Sequence, residues 1–110
     1  MKVLDRGRLH ISAIACGMAR RILDESIAYA QSRKQFGSRI GDFQLVQAML
    51  ADSQAELLAG WSLVRATARA YDAKPPGASD PEVSMQASCT KLFTTEMVGK
   101  VADRGVQIHG

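Results

Sequence analysis

The feature that most constrains this chain is a helical repeat of apolar residues that runs almost its whole length and is interrupted only twice. In the first stretch Ile11, Ile14, Ala15, Met18, Ile22 and Tyr29 recur at steps of three and four, with Arg20, Arg21, Asp24 and Gln31 on the opposite side. That spacing predicts an amphipathic helix from about Leu4 to Ser32. A second stripe of Val46, Leu50, Leu57, Trp61, Val64, Ala68 and Tyr71 predicts a helix from about Phe43 to Ala73, with Asp42 as its N-cap. A third line of Cys89, Phe93, Met97 and Val101 predicts a helix from about Pro81 to Val106. Runs that alternate apolar with polar residues between turns, the signature of strands, are nearly absent. The expected class is therefore all-α.

The two interruptions differ in kind. "KPPGASDP", residues 74–81, holds prolines and a glycine that cannot continue a helix, and Ser79 with Glu82 three residues later reads as a capping box around Pro81. "SRKQFGSRIGDFQ", residues 32–44, sets Arg33, Lys34 and Phe36 side by side where a plain chain reversal needs only glycine and a cap. Cations beyond a helix C-terminus are favoured by the helix dipole. An aromatic among them asks for a further reason.

Helices this long measure roughly 40 Å at about 1.5 Å per residue. Joined by short connections they make an up-down bundle of three long antiparallel helices with one groove open, an incomplete four-helix bundle. The 110 residues are 46% hydrophobic and 23% charged, which suits one domain over residues 1–110. A net charge of +3 permits anionic partners, but the cations are interleaved with acids. A nucleic-acid surface of Arg20, Arg21, Arg33, Lys34 and Arg39 has neither a docking motif nor aromatic interleaving, so no nucleic acid is expected. Cys16 and Cys89 lack metal-ligand spacing and read as small buried thiols in a reduced compartment, and no metal site is expected. No window reaches the roughly 18 apolar residues of a membrane span, and "MKVLDRGRLH" has no signal-peptide core. The expectation is a soluble intracellular protein, cytoplasmic in a bacterium or in the mitochondrial matrix of a eukaryote.

Taken in order, "LDRGRLHISAIACGMARRILDESIAYAQSRKQFGSRIGDFQLVQAMLAD", "TKLFTTEM" and "DRGVQIHG" resemble the C-terminal helical domain of the acyl-CoA dehydrogenases over essentially the whole chain. The "RKQFG…FQ" and "VQIHG" elements at this separation are its specific part. The resemblance implies a homo-oligomeric flavoprotein whose N-terminal helical and middle β-domains are not in this sequence, with the chain cut short at its C-terminus. It also implies FAD bound across a subunit interface, an acyl-CoA substrate gaining an α,β double bond, and an electron acceptor.

By that resemblance Arg33 reaches the FAD pyrophosphate, for which guanidinium offers planar, permanently charged donors. Phe36 packs against the cofactor and Gln44 adds a polar contact, while Gln107 and Gly110 form the second cofactor segment. Asp5 and Arg8 match the helix start beside the acyl-CoA. The catalytic carboxylate of most members lies downstream of the "QIHGG" stretch, beyond residue 110, and in a minority it falls at Gly7, which has no side chain. Glu56 and Glu96 match no catalytic motif, so no catalytic residue is expected here and the isolated chain is expected to be inactive. His10 and His109 have no partner for a catalytic pair. The acyl-chain length, and the choice among dehydrogenase, oxidase and flavin monooxygenase, stay open.

A different class of reading is a stand-alone helical interaction module that keeps the scaffold without the chemistry. In either case an open apolar groove predicts a homodimer or higher oligomer with Leu57, Trp61, Phe93 and Met97 at its interface.

Overall fold

The computed structural model describes residues 2–75 and 77–110. Helix α1 spans Lys2–Ser32, α2 spans Gln44–Ala73 and α3 spans Pro81–His109. Between α1 and α2 lie two short strands, β1 (Lys34–Gln35) and β2 (Ser38–Arg39), and a 3-10 turn, Ile40–Asp42. The three helices run up, down and up as an elongated bundle of 61 × 16 × 16 Å. Its radius of gyration is 17.1 Å, against about 13 Å for a compact domain of this length. The all-α bundle expected from the periodicity is the fold observed.

The breaks end the helices by mechanisms that differ in detail from expectation. Asp80, not Ser79, caps α3: its carboxylate accepts from the Glu82 and Val83 amides at 3.0 and 3.3 Å, with Pro81 in the first turn. Pro76, one of the expected breakers, lies outside the described residues. Helix α3 continues to His109, beyond the expected end at Val106. At the start of α2 the cap position belongs to Phe43, without a side-chain cap bond, and not to Asp42. The 3-10 turn accounts for this shift. It buries Ile40, whose amide donates to the Arg33 carbonyl at 2.8 Å, and Asp42 instead approaches Arg39 at 3.6 Å.

The core is smaller in its residues than the apolar stripes suggested. On α1 the buried side chains are Asp5, Ser12, Ala15, Cys16, Ala19, Leu23, Ser26 and Ala30, whereas Ile11, Ile14 and Met18 are 46%, 61% and 54% exposed. Helix α1 packs against α2 on one flank and α3 on the other, and small side chains let the axes approach closely. A Cβ at Gly60 would meet Cys16 Sγ and Met97 Cε at 3.2 Å, and one at Gly105 would meet Ile22 Cγ2 at 2.9 Å. Between α2 and α3 the hydroxyls of Thr67 and Thr90 share a buried hydrogen bond of 2.8 Å, so these polar atoms enter the core already satisfied.

Two apolar clusters fill the bundle. The larger is built on Cys16, Ala19, Leu23, Leu57, Val64, Met97 and Val101. The smaller, Ala30, Ile40 and Ile108 with Tyr29, Phe43 and Val46 packed against it, closes the hairpin end. Two of the four residues expected at an oligomer interface are corrected in consequence. Leu57 and Met97 are each 2% exposed inside the bundle and so do not offer the surface expected of them, whereas Trp61 and Phe93 are half-buried against the same cluster. The third helix's line is corrected as well, because Cys89 is exposed; Cys16 is buried, and both thiols are free. No helix among the described residues is long and apolar enough to cross a membrane.

Candidate functional site

The hairpin after α1 is held in one shape. Arg33 ends the helix with its amide donating to the Tyr29 carbonyl at 2.8 Å. Lys34 then pairs with Arg39 and Gln35 with Ser38, leaving a two-residue turn at Phe36 and Gly37 with φ of 54° and 79°. Both turn positions are left-handed, as tight hairpin turns that follow the twist of their strands require. Glycine adopts that conformation freely, while a phenylalanine does so under strain. The Phe36 ring is 93% exposed and faces Phe43 at 6.5 Å between centroids.

Helices α1 and α3 end side by side, and between their ends and the hairpin opens a cleft of ≈ 410 Å³. Arg33, Gln35, Phe36 and Tyr29 line it from the α1 side, and Gln107, His109 and Gly110 from the α3 side, over a floor of Ile40 and Ile108. Gly110 takes a φ of 83° as α3 ends, its amide donating to the Gln107 carbonyl at 3.3 Å. The His109 ring stacks on Tyr29 with centroids 4.5 Å apart, and its Nδ1 lies 2.8 Å from the Gly105 carbonyl.

The charge in this cleft is one-sided. Its lining contains the guanidinium of Arg33, two side-chain amides and an imidazole, and no Asp or Glu side chain. Among the described residues Arg33 makes no ion pair, whereas Arg20, Arg21 and Arg39 lie against Asp24, Glu25 and Asp42 at 3.4, 2.7 and 3.6 Å. The hydrogen bond to Glu25, with the attraction of its charge, raises the pKa of Arg21 above its ordinary value. A cation beside amide donors and an aromatic ring, with no acidic side chain in the lining, suits an anionic ligand that also has a flat surface.

Of the residues expected to touch a cofactor, Arg33, Phe36, Gln107 and Gly110 all line this cleft. Gln44 is exposed at the first position of α2 and lies outside the lining. Asp5 and Arg8 sit at the other end of α1, about 40 Å away by helix rise. The Asp5 carboxylate is buried, accepting from the Ser84 hydroxyl on α3 and lying 3.5 Å from Arg8 Nη1. Arg8 also borders a second cleft with Ser88, Lys91 and Thr95. Gly7 adds no side chain there, and a Cβ built on it would meet nothing within 4 Å. Glu56 is turned to Arg104 at 2.7 Å, and with Glu96 lines a groove between α2 and α3 remote from the hairpin. The Cys16 thiol, desolvated in the core, has its pKa raised above the ordinary value.

Sequence reasoning assigned no site role to Tyr29 and found none for His109. One signal was available: Tyr29 lies one helical turn before Arg33, and His109 lies next to Gly110.

The family described as acyl-CoA dehydrogenase, C-terminal domain, matches residues 1–110. The chain belongs to that family. Among its relatives, the caffeyl-CoA reductase-Etf complex subunit CarC of Acetobacterium woodii is 40% identical over 110 residues, which is 100% of this chain and 27% of the relative. The probable acyl-CoA dehydrogenase YngJ of Bacillus subtilis is 39% identical over 107 residues, covering 97% of this chain and 27% of the relative. Among solved structures, butyryl-CoA dehydrogenase from Megasphaera elsdenii superposes with a TM-score of 0.86 at 29% identity, over 97% of this chain and 26% of that one. This acyl-CoA dehydrogenase C-terminal domain thus spans about a quarter of the length of the relatives it matches.

Proposed function

We propose that the chain acts as the C-terminal helical part of an FAD-dependent acyl-CoA dehydrogenase that works as a homo-oligomer, each subunit lending its hairpin-end cleft to the FAD of a neighbour. One observation carries this reading: two segments some seventy residues apart in sequence meet at one cleft, lined by Arg33, Phe36, Gln107 and Gly110. The names of the relatives, a reductase subunit of an Etf complex and acyl-CoA dehydrogenases, support an acyl-CoA substrate and an electron-transfer partner for the whole protein.

The residues present fit the phosphate portion of FAD. Arg33 supplies a permanent cation aimed at phosphate oxygens. Gln107 supplies an amide, and Gly110 has no side chain to obstruct approach. Phe36, 93% exposed at the mouth of the cleft, would offer an apolar surface to the bound group. When bound, FAD would supply a hydride acceptor for the β-carbon of the acyl group. No Asp or Glu side chain lines this cleft and residue 7 is glycine, which supports a base for the α-proton that lies outside these residues. The isolated chain therefore shows no dehydrogenation of acyl-CoA.

The test is flavin retention in the flavin-loaded protein that carries this chain. Arg33→Ala removes one partner of a desolvated charge pair, a loss that typically costs about 2–5 kcal/mol. FAD should then dissociate on dilution under conditions where the parent keeps it. Equal retention by parent and variant would reduce Arg33 to a surface charge and remove the basis of this proposal.

A further inference from the structure

The cleft's two walls belong to different helices, and their relative placement depends on Tyr29. Its carbonyl accepts from the Arg33 amide at 2.8 Å, in the last hydrogen bond of the α1 ladder, and from the Ser32 hydroxyl at 3.2 Å. Its ring stacks on His109 with centroids 4.5 Å apart and planes inclined at 31°. One residue thus touches the Arg33 wall through its backbone and the Gln107–Gly110 wall through its side chain.

The His109 side is equally constrained. The Gly105 carbonyl is only an acceptor, so Nδ1, 2.8 Å away, carries the proton. That bond spans one helical turn and fixes the ring's rotation against its own helix. Gly105 also marks the closest approach of α3 to α1: a Cβ there would meet Ile22 Cγ2 at 2.9 Å and Ser26 Oγ at 3.4 Å. The missing side chain at Gly105 permits this close approach, and the Tyr29 and His109 rings meet across the two helix ends.

We infer that Tyr29 and His109 are a positioning pair that aligns Arg33 with Gln107 and Gly110 for one ligand. The inference rests on the flavin reading above and gives Tyr29 and His109, which line the cleft, the further task of holding its two walls together. Aromatic pairs contribute modestly beyond their buried area, which converts to a change of about threefold to tenfold in an equilibrium constant. Most of the bundle's core lies elsewhere, in the cluster around Leu23, Leu57 and Met97. Loss of the stack should therefore be read in ligand affinity more than in melting.

The experiment measures FAD dissociation from the flavin-loaded protein carrying Tyr29→Leu, His109→Ala or His109→Phe, with the melting temperature of each variant and Arg33→Ala as a reference. Tyr29→Leu and His109→Ala should each weaken FAD about threefold to tenfold, and His109→Phe, which keeps a ring for the stack, should restore most of the loss. Unchanged FAD affinity in His109→Ala overturns the inference. So does an equal loss in His109→Phe and His109→Ala, or a loss that only follows the melting temperature across the three variants. If Arg33→Ala retains FAD like the parent, the flavin reading itself fails. If Arg33→Ala loosens FAD while His109→Ala does not, the positioning pair alone is refuted.

Discussion

At one end of the bundle the Asp5 carboxylate is 4% exposed and ties α1 to Ser84 on α3, with Arg8 drawn in beside it. At the other end Arg33 stands exposed on a cleft whose lining holds no Asp or Glu side chain. Asp5 lies in the first turn of α1 and Arg33 just past its end, and both were expected at a binding site by resemblance. Their surroundings separate them. A charged group whose hydrogen-bonding capacity is satisfied inside the chain serves the fold, while one that is solvated and unpaired remains available to a ligand.

The contrast is broken most directly at Asp5. Asp5→Ala leaves the Ser84 hydroxyl without its acceptor and Arg8 without its counter-ion in a half-buried place, and should destabilise the isolated chain by about 1–3 kcal/mol. Urea unfolding followed by circular dichroism would measure it, and an unchanged midpoint would mean that the Asp5 end is as free as the Arg33 end. A smaller effect of opposite sign is expected at the hairpin. Phe36 holds a φ of 54°, which asparagine adopts with less strain. Phe36→Asn should stabilise the isolated chain by up to about 1 kcal/mol, and a lower melting temperature would show instead that the ring's packing on Phe43 outweighs the strain. The smallest effect belongs to Arg33. Substitution at an exposed position without partners usually stays within about 0.5 kcal/mol, so the melting curve of Arg33→Ala should overlay that of the parent chain. A clear loss would mean that Arg33, like Asp5, is part of the fold.

The fold was legible because a repeat of three and four residues survives whatever the helices pack against, and all three helices appear where that repeat placed them. Which face turns inward was less legible. Ile11, Ile14 and Met18 make a more apolar stripe than Ser12, Cys16 and Ala19, yet the small residues are the buried ones. Hydrophobicity ranks side chains by transfer from water, whereas three axes held close together select for volume, and only the packed bundle shows how little room there is beside Gly60 and Gly105. The site was legible in part for a similar reason. Arg33, Phe36, Gln107 and Gly110 lie in distinctive segments, but the link between them runs through Tyr29, which the periodicity had assigned to the apolar stripe.

By itself the sequence determined an all-α chain of three long helices, two breaks of different character, and the charged hairpin as the place to look for function. These follow from local chemistry: side-chain spacing, proline and glycine, and caps within a few residues of their helix. The tertiary structure alone decided that Asp5 is interior and Arg33 is not, that Leu57 and Met97 lie inside the bundle, and that Arg33 and Phe36 share one cleft with Gln107 and Gly110. Each of those outcomes depends on which helix lies across from which. That choice is made by contacts between residues far apart in the chain, where burial, volume and unpaired charge are settled together.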